Sequence, residues 1–218
     1  AAVINSGNQT TAIQGDLPNG GPNKPSPFTT VGEEMGVKTG LIVKFNGTDW
    51  VDSGNPLTNE APSVWSNRVR FSLPDNDVFV IDANAKTPKK LTEYKGVGTT
   101  LFNMVFNPGT GNLYVSNTDS RNHIRFEGPG TKSTTVRGNF VESRITVIED
   151  GVVKPRNLNK HIQSYNQEVG TESERRTSLA TPLEMVISDN GKDLYVAGFG
   201  SQKIGVYKTK QLDRDTFV

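Results

Sequence analysis

Cysteine is absent from all 218 residues. The chain therefore holds no disulfide, no thiolate metal site and no cysteine nucleophile. Covalent haem attachment is excluded too, since it needs C-x-x-C-H. Histidine occurs only twice. A three-ligand zinc site would then need a carboxylate as well, and neither H-E-x-x-H nor another metal-ligand spacing occurs. No apolar run approaches the roughly 20 residues of a membrane-crossing helix. Charge of one sign is not in excess: 24 Lys and Arg stand against 23 Asp and Glu, a net of +1. Binding a polyanion needs a basic stripe or patch, so there is no nucleic-acid footprint. Long amphipathic helices are not visible. No leader is visible at Ala1, where Ala-Ala-Val-Ile-Asn-Ser suits a processed end or a piece cut from a longer chain.

What the chain does have is turn chemistry. It carries 22 Gly and 12 Pro among many Asn, Thr and Ser, a composition suited to short strands joined by tight turns. The clearest stretch is Thr181 to Thr209. Leu183 to Ser188, Asp193 to Ala197 and Lys203 to Lys208 read as three strands of a meander. Asn190-Gly191 predicts a type I′ turn between the first two, with positive φ at both residues. Gly198, Gly200 and Ser201 make the second turn. The same unit stands upstream: Met104, Val105, Leu113, Tyr114 and Val115 match Met185, Val186, Leu194, Tyr195 and Val196, every pair 81 residues apart. That spacing is about twice the roughly 40 residues of a four-stranded propeller blade.

In chain order, residues 1–40 read as an irregular N-terminal segment with a Pro/Gly-rich loop over Asp16 to Pro27. Residues 41–218 read as β-propeller blades. Leu41 to Val51 is a hairpin turning at Asn46-Gly47. Val69 to Ala83 is two strands joined by Pro74 to Asp77, with Lys89 to Lys95 outside them. Thr99 to Glu127 is a three-strand meander that ends in His123-Ile-Arg-Phe-Glu127. Arg144 to Pro155 is a hairpin turning at Asp150-Gly151. Residues 155–180 form a long polar loop, and a connection of that length in a β domain is functional or mobile. The strands amount to four or five blades. A closed ring of six or seven needs roughly 240 to 280 residues, and an open arc exposes strand edges. The expectation is an all-β, partial propeller of four-stranded antiparallel blades that belongs to a longer polypeptide or is closed by another chain.

Leu113-Tyr-Val-Ser-Asn117, and Ser188-Asp-Asn-Gly191 with Leu194-Tyr-Val196, resemble the bacterial YVTN-type β-propeller repeat, departing from it at Ser116 and at Ala197-Gly198. Five longer stretches resemble exported bacterial propeller proteins often joined to a c-type cytochrome module. They are Phe71 to Ala83, Arg125 to Gly130, Val136 to Gly138, Leu158 to Ile162 and Leu194 to Ser201. The resemblance spans Leu41 to Leu212. It implies a propeller and a periplasmic or extracellular location.

Each candidate residue carries a plainer reading beside the chemical one. His161, in Asn159-Lys160-His161, suits a metal ligand, an axial contact to a partner's cofactor or a proton carrier, and equally a histidine that pins a loop. Asn159, Lys160, His161, Arg175 and Arg176 make up a candidate partner-contact loop. His123 sits at a strand start. Asp75-Asn76-Asp77 offers oxygens for a calcium ion, and is also ordinary turn chemistry. Gly198-Phe-Gly-Ser201 is not the G-x-S-x-G of a serine hydrolase, and Gly128-Pro-Gly130 precedes no helix that would bind phosphate. Arg121, Arg125, Arg137 and Arg144 with Glu127 and Glu142 read as cross-strand and loop pairs. Asn8 and Asn46 fit the glycosylation pattern.

Two function classes follow. The favoured one is a non-catalytic binding platform with its loops on one face, which the resemblance sharpens to an exported scaffold for an electron-transfer or assembly partner. The alternative is a lactonase-like hydrolase with a divalent metal such as calcium in a central channel. That chemistry needs acids, amides or histidines on the first strands, where Leu101 to Asn107 and Leu183 to Ser188 supply mainly Asn103, Asn107 and Glu184.

Overall fold

Short runs of β-branched and aromatic residues, stopped by Gly, Pro and Asn, become strands throughout. The computed structural model describes residues 2–4, 10–14, 40–52, 61–69, 75–120, 141–162 and 171–217. Its strands are β1 (Ala2–Ile4), β2 (Thr10–Gln14), β3 (Gly40–Phe45), β4 (Trp50–Val51), β5 (Val78–Asp82), β6 (Lys89–Tyr94) and β7 (Thr100–Phe106). β8 (Leu113–Ser120), β9 (Val141–Glu149), β10 (Val152–Asn157), β11 (Pro182–Ile187), β12 (Asp193–Gly198) and β13 (Lys203–Lys208) follow. Helices α1 (Glu172–Thr177) and α2 (Thr209–Arg214) are six residues each. Neither is long and apolar enough to cross a membrane.

The strands form four antiparallel sheets among the described residues: β1-β5-β6, β2-β3-β4, the four-stranded β7-β8-β9-β10, and β11-β12-β13. The all-β expectation holds. Residues 2–4 and 10–14, read as part of an irregular segment, form strands: β1 pairs with β5 and β2 with β3, while residues 16–27 lie outside the described residues. Strands of three and five residues are too short to show a period in sequence. What selects them is a sheet edge that needs a partner for its N–H and C=O groups.

The repeat is real at the level of hydrogen-bond register. Met104 pairs with Val115 as Met185 pairs with Val196, and Val105 with Tyr114 as Val186 with Tyr195. Even the irregularity recurs: the register shifts between Leu101 and Asn103, and again between Pro182 and Met185. The spacing of 81 nevertheless separates neighbouring sheets, not sheets two apart. β7 and β11 lie side by side, and Asn103 hydrogen-bonds Glu184 across them at 2.7 Å. The connections from Ser120 to Val141 and from Asn157 to Pro182 supply much of that spacing.

Three turns sort by their φ angles. Asp150 and Gly151 both have positive φ, 49° and 81°, as a type I′ hairpin demands. At Asn190-Gly191 only Gly191 is positive, and the loop is a longer one closed by Ser188 N–H to Asp193 O at 2.8 Å. At Asn46-Gly47 the Asn46 side chain accepts from Thr48 N and Asp49 N. An Asx turn, with positive φ at Gly47 alone, replaces the expected I′ geometry. β8 pairs along its whole length with β9, and residues 123–127, expected as the third strand of the first meander, lie outside the described residues. His123, Arg121, Arg125, Arg137, Asn8 and residues 128–130 lie outside the described residues.

Three apolar clusters hold the sheets. Tyr114, Ile145 and Val147 of the four-stranded sheet, with Leu158 just beyond β10, meet Leu179, Met185, Leu194, Val196, Leu212 and Phe217. Val78, Val97, Leu101, Val115 and Ile148 fill the space between β5 and that same sheet. Ile13, Val43, Trp50 and Trp65 core the sheet β2-β3-β4. Each fully buried aliphatic side chain contributes about 1.5–3 kcal/mol.

Candidate functional site

The register sorts the connections onto two ends. At one end the turns are tight: 107–112, 150–151 and 188–193. At the other end stand two long connections, from Ser120 to Val141 and from Asn157 to Pro182, beside the short link around Phe199–Ser201. A rigid scaffold with its long loops on one end is the usual place for binding residues, and the candidate partner-contact residues all sit there.

A network of four charges marks this end. Arg144 on β9 reaches Asp119 on β8 at 3.0 Å and Glu142 at 2.5 Å. Lys44 on β3 reaches the same Asp119 oxygen at 2.9 Å and joins the sheet β2-β3-β4 to the four-stranded sheet. Thr99 donates to Asp119 as well, at 3.3 Å. Two cations and two anions cancel, so the network ties sheets together and leaves no anion receptor. Of the residues expected in cross-strand and loop pairs, Arg144 pairs across strands with Asp119 and along its own strand with Glu142.

The connection from Asn157 to Pro182 divides by role. The Asn159 side chain is buried and pairs with the Leu179 backbone twice, accepting from its N–H at 2.8 Å and donating to its C=O at 2.9 Å. It mimics a strand pairing and pins the connection to the core. Lys160 salt-bridges Asp215 at 2.6 Å and sits 3.8 Å over the Phe217 ring. His161 Nε2 lies 3.2 Å from Glu174 O and 3.3 Å from Ser178 Oγ. Those contacts tie it to α1, the loop-pinning reading. Arg175 and Arg176 project from α1 into solvent, with Arg176 4.0 Å from Glu172. The helix itself starts from a capping box, Thr171 Oγ1 accepting from Glu174 N while Glu174 accepts from Thr171 N. The five residues therefore do not form one face: three hold the connection in place and the two arginines are outward.

Asp75 and Asp77 lie beside the crossing from β6 to β7. Asp77 is fully buried and accepts from Val97 N–H at 2.7 Å. Burial, the largest cause, and the neighbouring Asp75 push its carboxyl up from 3.8 to about 6, against the pull of the Val97, Gly98 and Gly96 amides. One oxygen of each aspartate has no hydrogen-bond partner. Val97 O in turn accepts from Thr146 Oγ1 at 2.7 Å, and Thr146 accepts from Asn117 at 2.9 Å. This chain runs from beside the sheet β1-β5-β6 into the centre of the four-stranded sheet. Among the described residues no three His, Asp or Glu side chains gather to hold a metal.

On the first strands, Asn103 and Glu184 form one exposed pair. Asn107 is buried and donates to Gly191 O at 2.9 Å, so it bridges two hairpins and faces no solvent. A cleft of about 520 Å³ opens between the sheet β1-β5-β6 and the four-stranded sheet, lined by Val80, Tyr94, Phe106, Leu113, Ile148 and Asp150. No sequence signal pointed to it, because its walls come from strands on two sheets.

No family model and no curated protein matches the sequence. Among solved structures, hydrazine synthase of Kuenenia stuttgartiensis is similar over 66% of this chain, with 16% identity and a TM-score of 0.43. The match spans 36% of that protein's chain. A likeness this loose carries neither fold nor activity across.

Proposed function

We propose that the chain is a segment of a YVTN-type β-propeller in an exported bacterial protein, and that it works as a non-catalytic scaffold for a c-type cytochrome electron-transfer partner. The observation that supports this reading is the segregation of connections. The connections from Ser120 to Val141 and from Asn157 to Pro182 leave one end of the register-matched sheets, and the turns 107–112, 150–151 and 188–193 close the other. Arg175 and Arg176 stand at the loop-bearing end as exposed cations. At the same end Lys44, Asp119, Glu142 and Arg144 neutralise one another. Exposed rim charges act mainly on association rate and salt dependence. The cytochrome partner and the exported location rest on the sequence resemblance.

The test is co-elution of the polypeptide with c-type cytochromes from the periplasm, read by haem absorbance. The expected result is a haem-containing complex whose association slows about severalfold in R175E/R176E and is weakened by salt. Calcium-dependent lactone hydrolysis that disappears in Glu184→Gln would overturn the scaffold reading in favour of the hydrolase.

A further inference from the structure

The sheet β11-β12-β13 has one buried face and one open one. Met185, Leu194 and Val196 point into the cluster shared with the four-stranded sheet. The opposite face carries Val186, Tyr195, Val206 and Ile204, which are 64%, 43%, 58% and 72% exposed. Val186, Tyr195 and Val206 form one cross-strand rung, and Ile204 stands two residues along β13, opposite Ala197. Four large apolar side chains side by side on an uncovered sheet face mark a binding surface.

The register identifies what this face is equivalent to. In the four-stranded sheet the corresponding rung is Val105, Tyr114 and Val147, with Ile145 opposite Ser116. The residue types are the same at all four positions: valine, tyrosine, valine, isoleucine. There, Tyr114, Ile145 and Val147 are 0% exposed, because β11-β12-β13 covers them. The polar marker recurs as well. Asn103 donates to Glu184 on the next first strand, and Glu184 occupies in its own strand the place that Asn103 occupies in β7.

We infer that the open face of β11-β12-β13 is the docking site of one further antiparallel sheet of the same polypeptide, built like β11-β12-β13 itself. Its inner face would carry aliphatic side chains at the places of Met185, Leu194 and Val196. Its first strand would run beside β11 and set a hydrogen-bond donor against Glu184. The buried interface between the two described sheets is the template. A second copy of this chain fits less well, since its own Met185, Leu194 and Val196 are already covered. The inference rests on the propeller-segment reading and names the surface through which the segment is continued.

The experiment compares side-chain labelling of the 218-residue chain with that of the polypeptide as its organism makes it. At low concentration Tyr195, Ile204 and Val206 should label freely in the shorter chain and about tenfold less in the natural polypeptide, as burial closes them to reagent. The variant I204K/V206K should leave the melting temperature of the shorter chain unchanged and lower that of the natural polypeptide by several degrees. Equal labelling in both forms overturns the inference. So does protection in the shorter chain, whether it grows with concentration alongside a dimeric mass or is present in the monomer. Cytochrome co-elution is read separately, so its failure strikes the scaffold reading and leaves the labelling result standing.

Discussion

Ile145 and Ile204 are the same residue at the same place in two successive sheets, and they differ only in what lies over them. Ile145 is 0% exposed beneath β11-β12-β13, whereas Ile204 is 72% exposed. Ile145→Ala removes buried methylenes and leaves a cavity among Tyr114, Val147 and their neighbours, at about 2–5 kcal/mol. For a chain of this size, that lowers the melting temperature by roughly 10 °C. Ile204→Ala removes side chain already in water, and the change should stay within about 0.5 kcal/mol. Urea denaturation of the 218-residue chain, at a concentration where it is monomeric, reads both values directly. Equal losses at the two sites would refute the reasoning. Either the sheets would not be stacked as described, or the open face would be covered in the isolated chain.

The remaining expectations rest on single contacts. Asp77 titrates near 6 in the folded chain against 3.8 unfolded. The folded state therefore binds its proton more tightly. The stabilisation is fully present below about pH 4 and is lost as pH rises through 6, about 3 kcal/mol in all. Denaturation midpoints measured across that window should flatten in Asp77→Asn, and an unchanged slope would refute the assignment. Asn159→Ala strands the buried Leu179 N–H and C=O. It should cost about 2–4 kcal/mol, with amide exchange of Leu179 rising first. Gly98→Ala would bring a Cβ to 2.3 Å from the Asn117 side-chain oxygen, while hydrogen bonds to Thr146 and Val115 O fix that side chain. About 1–3 kcal/mol is expected from the overlap, visible as a lower thermal midpoint.

Strands with their own pattern were legible. Val78 to Asp82, Leu113 to Ser120 and Lys203 to Lys208 carry β-branched and aromatic residues between turn signals, and local sterics suffice to choose an extended backbone there. The five matched pairs between residues 104–115 and 185–196 gave the repeat, and the hydrogen-bond register follows it residue by residue. Asp150-Gly151 gave its turn. Asn190-Gly191 and Asn46-Gly47 did not, because loop length and side-chain hydrogen bonds decide which residue takes positive φ. β1 and β2 were not legible, since a three-residue strand exists only through its partner. The roles in the loop-bearing connection were hidden for the same reason. Asn159, Lys160 and His161 are adjacent in sequence, yet each is claimed by a contact 13 to 55 residues away.

By itself, then, the sequence determined what is local. It set an all-β chain without disulfides, the positions of most strands and the existence of a repeat, because strand propensity and turn chemistry act over a few residues. Tertiary structure alone decided which sheet neighbours which, since a residue offset counts chain length and takes no account of proximity. It also decided which of two identical valine, tyrosine, valine and isoleucine sets is core and which is surface. Burial is a property of what lies across the interface, and no residue carries that information in its own side chain.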